Sequence, residues 1–305
     1  FSKLSGKGIH GRLFRNIQAL YKNMRSRVIH PRIPVDDYYN IEVGAREGSV
    51  LSPILFLVAI DDMQEYLAAR PFQQRSAAST KRAGGQRRKG KPPGVRIGGT
   101  YLALLQYVDD AVLLARSPEE LQHMINVIAD YCSENRLTLN PKEGKTEVVE
   151  FMCDPSNVTY TVASPKTAGD QARAQIHVKQ GYQYLGWWLD KDLTLQEHTD
   201  RICRLLVGAA ARVVRMGGRP GALPVRTTFL LWSSLALSHV HGNAALLSQQ
   251  QVTRLQQKMR AAVRQMAGSR SEPAAVLADL GIPDAVTIHR MRAASLFVRL
   301  RTLPE

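Results

Sequence analysis

The chain has 305 residues, 44% of them hydrophobic, which is enough for one large or two ordinary domains and argues against disorder throughout. Its 41 lysines and arginines outnumber 26 acidic residues, and the net charge of +15 favours a polyanionic partner, nucleic acid before membrane. No run of about 18 uncharged apolar residues occurs, so no membrane span is predicted. The three cysteines, Cys132, Cys153 and Cys203, lack metal-ligand spacing and are typical of reduced thiols inside the cell.

The beginning of the chain contains a helical pattern without a start signal. From Leu13 onward, apolar residues follow three-four spacing, which predicts a helix, whereas Gly8 and Gly11 interrupt the stretch before it. The first residue is Phe1 rather than methionine, so we expect the chain to be a piece of a longer protein. Residues 32–46 are expected to be extended.

A second helix is predicted to begin at Ser52 and Pro53, with the serine as N-cap. Residues 54–60 are apolar on all sides, so this helix is expected to be buried. Gly48, just before it, would let a backbone or a substrate approach closely. Residues 68–98, approximately, form a basic insertion rich in small residues, which predicts a mobile loop. This insertion either has no role or is an electrostatic tether for a phosphate backbone.

Two adjacent carboxylates, Asp109 and Asp110, follow Tyr107 and Val108 between two short apolar runs. Such runs around a tight polar step predict a β-hairpin over residues 101–116 with the acids at its tip. Carboxylates this close repel each other unless a cation lies between them, and Mg²⁺ binds through carboxylates plus substrate phosphates. The pattern is typical of a two-metal phosphoryl-transfer site, although a polar turn without function is the alternative.

The next stretch alternates between helix and strand signals. The tetrapeptide Ser-Pro-Glu-Glu that begins at Ser117 is a capping box and predicts a helix that ends near Asn135. Residues 145–151 and 182–189 predict strands, which are expected in or beside the sheet of the hairpin. Residues 153–175 predict a polar loop between them.

The last third of the chain is predicted to be helical, from about residue 196, over 224–247 and 249–267, and again from about residue 285. A strand-rich front and a helical back predict an α+β fold with an appended helical domain. Four arginines share the side of the first of these helices that lies opposite its apolar stripe: Arg201, Arg204, Arg212 and Arg215.

Four motifs follow one another along the chain. The first is Gly48-Ser49 with Ser52-Pro53, and the second is Tyr107-Val108-Asp109-Asp110. The third is Leu137-Thr138-Leu139-Asn140 with Lys145-Thr146, and the fourth is Tyr184-Leu185-Gly186. In this order they resemble the palm of reverse transcriptases, specifically those of non-LTR retrotransposons and their group II intron relatives. The resemblance covers nearly the whole chain. It implies a right-hand polymerase palm, a small antiparallel sheet with packed helices, over residues 1–190, and an all-helical thumb-like and connecting region over residues 191–305.

The resemblance also implies roles for the residues of each motif. Asp109 and Asp110 would be catalytic and would bind two Mg²⁺ ions, and Lys145 would protonate the leaving pyrophosphate as a general acid. Tyr107 would lie under the primer end, Gly48 and Ser49 would border the nucleotide and template, and Tyr184 to Gly186 would grip the primer. The residues expected to contact substrate or nucleic acid are Arg46, Gly48, Ser49, Tyr107, Tyr184, Leu185 and Gly186.

Two departures from the family's pattern affect these expectations. Glu47 stands where the family has glutamine, and an acid near nucleotide phosphates must face away or pair, for example with Arg46. The family's third catalytic carboxylate lies on the strand before the segment where this chain begins. We therefore expect that ligand upstream of Phe1, and we expect residues 1–305 alone to be inactive.

The sequence thus predicts the RNA-directed DNA polymerase domain of a non-LTR retrotransposon, a nucleotidyltransferase acting on a primer 3′-hydroxyl. Its expected partners are an RNA template, a DNA primer and deoxynucleoside triphosphates, without a membrane. The alternatives are a non-catalytic, domesticated nucleic-acid-binding remnant and a group II intron maturase. The expected location is intracellular, in the nucleus or a cytoplasmic ribonucleoprotein for a eukaryotic element. The pattern leaves the oligomeric state open.

Overall fold

The computed structural model describes the chain outside residues 28–37, 42–43, 45, 47, 73–90, 155, 164–172, 218–222 and 303–305. The chain divides into two compact units. The first comprises Phe1–Thr146 and Ser156–His177, and the second comprises Glu147–Pro155 and Val178–Glu305. Glu47 and most of the basic insertion lie outside the described residues, so the expectations for them stay predictions. Among the described residues, no helix is both long enough and apolar enough to cross a membrane.

Helices and short strands are mixed up to β11, and the described elements after it are all helical, in agreement with the expected α+β class. The helices are α1 (Ser2–Gly6), α2 (Gly11–Tyr21), α3 (Leu51–Ile60), α4 (Met63–Ala68), α5 (Pro118–Glu134), α6 (Gln196–Arg215), α7 (Val225–Trp232), a π-helix (Ser233–Leu237), α8 (Ser238–Asn243), a 3₁₀ helix (Ala244–Leu246), α9 (Gln249–Ala267), α10 (Pro273–Asp279) and α11 (Ala285–Arg301). The strands are β1 (Arg25–Ser26), β2 (Tyr39–Asn40), β3 (Val95–Ile97), β4 (Thr100–Leu102), β5 (Leu104–Tyr107), β6 (Asp110–Leu113), β7 (Glu147–Val149), β8 (Tyr160–Ala163), β9 (Arg173–Lys179), β10 (Gly181–Tyr184) and β11 (Trp187–Asp190).

The strands form several small sheets rather than one. β5 pairs antiparallel with β6 as a two-stranded sheet, which confirms the hairpin predicted over residues 101–116. The strands near 145–151 and 182–189 were expected in or beside this sheet. Among the described residues neither β7 nor the β10–β11 pair bonds to it, so they are not in it, and a place beside it stays a prediction. The single strand predicted at 182–189 is therefore a hairpin. The polar loop predicted over 153–175 is also wrong in part, since β8 pairs with β9 there.

Helix α5 organises the core of the first unit. Its start is as predicted, because Pro118 occupies the first turn and the Ser117 hydroxyl accepts a hydrogen bond from the Glu120 backbone N–H. Its buried face packs with apolar residues of α3, α4 and β5. The buried members of this core are Ile60, Met63, Leu67, Leu104, Met124, Val127, Ile128, Tyr131 and Cys132.

Helix α3 is less buried than its sequence predicts. Of its residues only Ile60 is buried, while Ile54 and Leu57 are 55% and 41% exposed. The helix also begins at Leu51, before the predicted N-cap Ser52. The reason is local, since the Ser49 hydroxyl accepts the Leu51 N–H at 3.3 Å and thereby satisfies a donor of the first turn.

The second unit has a helical core of its own, which α6, α7 and α9 build with the π-helix and α11. Trp232 is fully buried in it and donates its indole N–H to the Leu206 carbonyl oxygen at 3.0 Å. A complete capping box between Ser248 and Gln251 starts α9. The helices predicted from residue 196, over 249–267 and from 285 are confirmed, whereas α10 was not predicted.

Candidate active site

The β5–β6 hairpin presents both candidate catalytic aspartates. Tyr107 pairs with Asp110, so Val108 and Asp109 form the two-residue turn between the strands. Paired residues in adjacent strands share a face, so Asp110 and Tyr107 lie on the same side. That side is open, since Tyr107 is 59% exposed and both aspartates are exposed. The prediction that the acids lie at the tip is confirmed.

The opposite side of this hairpin anchors it to the first unit. Leu104 is buried against α4 and α5, and the amide of Gln106, two residues on, contacts the Met63 sulfur at 3.8 Å. The ladder continues beyond the strands, because the Leu114 N–H donates to the Ala103 carbonyl oxygen at 2.9 Å. The turn is thus held by a packed stem while its tip faces solvent.

Val108 adopts an unusual backbone conformation at this tip. Its φ is +54°, in the left-handed region that β-branched residues rarely occupy. Such a conformation costs about 1–2 kcal/mol for an L-residue with a side chain. The turn therefore carries backbone strain next to the two carboxylates.

Neither aspartate has a structural partner among the described residues. Within the described residues, no hydrogen bond or ion pair engages the carboxylate of Asp109 or Asp110. Two exposed, unengaged carboxylates form an all-oxygen donor set, which suits Mg²⁺. The described residues hold no group of three or more potential metal ligands. The hairpin therefore fits the carboxylate part of a magnesium site.

Asp61 and Asp62, which directly follow α3, form ion pairs and hydrogen bonds within the fold. Asp62 accepts hydrogen bonds at 2.6 Å from both the Lys3 ammonium and the Tyr131 hydroxyl, and Asp61 pairs with Lys7. Partial burial raises the pKa of Asp62, but the bonds from Lys3 and Tyr131 outweigh that effect and leave its pKa below the ordinary value. These partners are 59 and 69 residues away in the chain, so sequence patterns give no signal for them.

The segment before α3 holds the predicted nucleotide-side residues. The Ser52 hydroxyl donates to the Arg46 carbonyl oxygen at 2.6 Å, and the Ser49 N–H donates to the same oxygen at 3.3 Å. Gly48 has a φ of +72°, which favours glycine, and a Cβ there would meet no atom within 4 Å. The described neighbours therefore do not crowd Gly48, and glycine is needed for the backbone conformation.

Lys145 follows a turn in which its N–H donates to the Lys142 carbonyl oxygen at 3.0 Å. Its side chain is exposed and forms no ion pair with Asp109 or Asp110 in the described part of the chain. The structure thus leaves Lys145 available but does not join it to the hairpin.

The fourth predicted motif lies in the turn of the β10–β11 hairpin of the second unit. Tyr184 pairs with Trp187, and Leu185 and Gly186 form the turn with φ values of +47° and +85°. Positive φ at both central residues is the type I′ pattern of tight hairpins. The Leu185 side chain is exposed at this tip.

A sequence model of the family described as reverse transcriptase (RNA-dependent DNA polymerase) matches residues 14–189, more than half of the chain. This chain belongs to the reverse transcriptase family. The matched region contains the aspartate hairpin, the segment before α3, Lys145 and the turn at Leu185. The resemblance inferred from the motifs is therefore confirmed at the level of the family.

A relative in Caenorhabditis elegans, described as a transposon-derived protein, is 33% identical over 85 residues. The match covers 28% of this chain and 30% of the relative. The chain thus matches less than a third of the length of that relative.

Proposed function

We propose that this chain is the polymerase portion of a non-LTR retrotransposon reverse transcriptase, with a palm in residues 1–190 and a thumb-like region in 191–305. The observation that carries the proposal is the strained two-residue turn that exposes Asp109 and Asp110, which have no structural partner in the part of the chain that the structure describes. A polar turn without function gives no reason for a β-branched residue at positive φ. Membership in the family supplies the reaction class.

In this mechanism Asp109 and Asp110 would hold Mg²⁺, which would supply Lewis-acid activation of the primer 3′-hydroxyl and positive charge for the leaving pyrophosphate. Tyr107, on the same side of the hairpin as Asp110, supports the primer end. Lys145 donates a proton to the pyrophosphate oxygen as a general acid.

The remaining motif residues position the substrates. Arg46, Gly48 and Ser49 border the incoming nucleotide and the RNA template, and the open space at Gly48 leaves room for a base pair. Tyr184 and the turn that follows it hold the DNA primer strand. The non-catalytic remnant and the intron maturase remain alternatives that neither the geometry nor the comparisons favour.

The test uses primer extension on an RNA template with Mg²⁺ by a longer parent protein that contains this chain. Asp109→Asn keeps the size of the side chain but removes its charge, and we expect at least a thousandfold loss of rate, about 4 kcal/mol of barrier. Asp279→Asn is the matched control, because Asp279 is also exposed but lies on α10 in the second unit. Equal activity of the two variants would refute the proposed role of the hairpin.

The chain by itself is proposed to be inactive. Two carboxylates alone would hold two ions only weakly, and the described residues place no third acid with them. Residues 1–305 should therefore show no measurable primer extension. Robust extension would mean that another acid completes the site, Asp36 or Asp37 first, both of which lie outside the described residues.

A further inference from the structure

The β10–β11 hairpin, which carries the proposed primer-holding turn, has a backbone amide that its own ladder does not use. Tyr184 pairs with Trp187 across the two-residue turn, and the next pair is Gln183 with Trp188. Pairs in an antiparallel ladder alternate between hydrogen-bonded and non-bonded, and the pair that closes a two-residue turn is a bonded one. The N–H of Trp188 therefore points away from β10 and needs an acceptor from another element.

His198, in the first turn of α6, supplies that acceptor. Its Nδ1 atom accepts the Trp188 backbone N–H at 3.2 Å. Because a backbone N–H can only donate, Nδ1 carries no proton, and the proton of the neutral ring is on Nε2. His198 is only 2% exposed, so this bond is shielded from water.

Ring contacts join the same hairpin to α6. The imidazole of His198 stacks on the Trp187 ring, with centroids 5.1 Å apart and planes 13° from parallel. The guanidinium of Arg201, one turn further along α6, lies 3.8 Å from the centre of a Trp188 ring. Gly181 on β10 leaves room for that ring, because a Cβ there would lie 3.0 Å from two of its carbons. Successive side chains of a strand point to opposite faces, so α6 contacts both faces of β11.

The short link between β11 and α6 is fixed as well. The Asp190 carboxylate accepts the N–H groups of Thr194 and Leu195, both at 3.0 Å. Gln251 on α9 donates its side-chain amide to the Thr194 carbonyl oxygen at 2.8 Å. The start of α6 is therefore held relative to the end of β11, and this places His198 beside the two residues that follow the turn.

The other ring nitrogen of His198 shows why packing does not explain this residue. Nε2 is buried and has no hydrogen-bond partner among the described residues. A buried N–H without an acceptor destabilises a fold, so an apolar ring would be more stable here if packing were the only need. An apolar ring cannot supply the acceptor at Nδ1. The contact to the hairpin amide therefore accounts for the imidazole.

We propose that His198 is a positioning residue, whose neutral ring fixes the turn at Leu185 and Gly186 to α6 and so sets where the primer strand lies. This inference rests on the proposed function, in which that turn holds the primer, and deepens it. His198 acts on the primer only through the hairpin and touches no substrate.

Protonation would break the contact, because an imidazolium has no acceptor nitrogen. Burial, with a contribution from Arg201, lowers the pKa of His198 below its ordinary value of 6.5. The bond to Trp188 is thus complete above pH 6.5 and is lost as the pH falls through the lowered pKa of His198. Arg201 pairs with Glu197, and Asp190 bonds to the link, so neither carboxylate is directed at the ring. The other titratable side chains on the elements around it are Arg204 on α6, Tyr184 on β10 and His239 on α8.

The first test follows the Trp188 amide in residues 1–305 labelled with ¹⁵N at tryptophan. His198→Phe keeps a flat ring but removes the acceptor, and hydrogen exchange of this amide should accelerate about tenfold or more. His198→Asn keeps an acceptor oxygen at the position of Nδ1 and should exchange within about threefold of the wild type. The Trp232 amide, in α7, is the internal reference and should not change. Equal exchange of Trp188 in the wild type and His198→Phe would overturn the proposal.

A pH series on the wild type needs no altered core. The Trp188 amide resonance should shift together with the His198 ring resonances as the pH falls below 6.5. In His198→Asn the same resonance should stay in place, because asparagine does not titrate. A Trp188 resonance that ignores the titration of His198 would overturn the proposal, even if His198→Phe failed to fold.

The second test measures primer extension by a longer parent protein that contains this chain. His198→Phe should lower kcat about tenfold or more and raise KM for the primer–template less than about threefold, because phosphate contacts still bind the duplex while the primer end is misplaced. His198→Asn should restore kcat to within about threefold of the wild type.

His289→Phe is the matched control for these kinetics. It also removes a histidine hydrogen bond in the second unit, from Nδ1 to the Ala244 carbonyl oxygen at 2.7 Å, and should leave kcat within about threefold of the wild type. Equal losses in His198→Phe and His289→Phe would mean that lower stability alone is responsible, and would overturn the positioning role. Amide exchange does not depend on polymerase activity, so failure of the polymerase proposal can be told apart from failure of this one.

Discussion

Replacement of Glu120 by glutamine should loosen the first unit and leave the second unchanged. Glu120 is only 2% exposed, and it accepts hydrogen bonds from the Arg116 backbone and guanidinium and from the Gly94 N–H. Arg116 comes shortly after β6, and Gly94 just precedes β3. The Glu120 carboxylate, in the first turn of α5, is therefore hydrogen-bonded to the segment that follows the aspartate hairpin and to the residue before β3.

The size of the effect follows from these contacts. Hydrogen bonds to a charged group contribute about 1.5–3 kcal/mol, and removal of one partner of a buried pair costs about 3–5 kcal/mol. The Arg116 side chain is 39% exposed, so solvent screens part of the charge that the variant leaves behind. We expect Glu120→Gln to lower the free energy of unfolding of the first unit by about 2–3 kcal/mol, a 30- to 150-fold change in the equilibrium constant.

The dependence on pH gives a second signature. Burial raises the pKa of Glu120, but the bonds from Arg116 outweigh this and leave the pKa below its ordinary value of 4.5. A carboxyl whose folded-state pKa is lowered stabilises the fold above the unfolded pKa, and this stabilisation is lost as the pH falls through the folded pKa. The free energy of unfolding of the wild type should therefore be larger than that of Glu120→Gln at pH 7. The difference between the two proteins should become smaller below about pH 4.5.

The assay can separate the two units, because all three tryptophans, Trp187, Trp188 and Trp232, lie in the second. Hydrogen exchange in peptides from α5 should accelerate at a lower urea concentration in Glu120→Gln than in the wild type. The urea midpoint of the tryptophan fluorescence change should be the same in both proteins. Glu119→Gln is the matched control, since Glu119 is exposed in the same turn and should change stability by less than about 0.5 kcal/mol. Equal losses in both variants would refute the reasoning.

Three further predictions follow from other parts of the chain. Tyr131→Phe removes the 2.6 Å bond to Asp62 and should cost about 1 kcal/mol in urea unfolding, while no loss would mean that the bond is not formed in solution. Val108→Gly relieves the positive φ and should stabilise the first unit by up to about 1 kcal/mol in the same assay, whereas a clear loss would contradict the strained turn. A third variant neutralises four basic residues of the insertion, Arg82, Arg87, Arg88 and Lys89. The slope of log binding constant against log salt concentration, for an RNA–DNA duplex, should become less steep by up to about 3.6. An unchanged slope would mean that the insertion does not contact phosphate.

Local signals in the sequence predicted the elements that depend on neighbours in the chain. The start of α5 is readable because Ser117 and Pro118 act on the turn that contains them. The aspartate hairpin is readable because two apolar runs flank a two-residue step. The family assignment followed from the order of such local motifs, and it holds for residues 14–189.

Tertiary contacts set the features that the sequence did not predict. The apolar composition of α3 predicts burial, yet burial depends on which elements cover it, and Ile54 remains exposed. The role of Glu120 was predicted as half of a capping box, but its carboxylate bonds to Arg116 and Gly94 instead. A cavity beside α6 is lined by residues from β10, β11, α6, the π-helix and α8, so no single periodic pattern indicates it.

The turns of both candidate hairpins place a non-glycine residue in the left-handed region. Leu185 and Val108 have φ values of +47° and +54°, where asparagine or glycine would be favoured. A shift of the turn by one residue, to Asp109 and Asp110, would place residues that tolerate a positive φ there, but it would slip β6 by two residues against β5. Asp110 would then no longer share the exposed side with Tyr107. The strain at Val108 is therefore tolerated because the buried position of Leu104 fixes the register, and this register is what exposes the two carboxylates together.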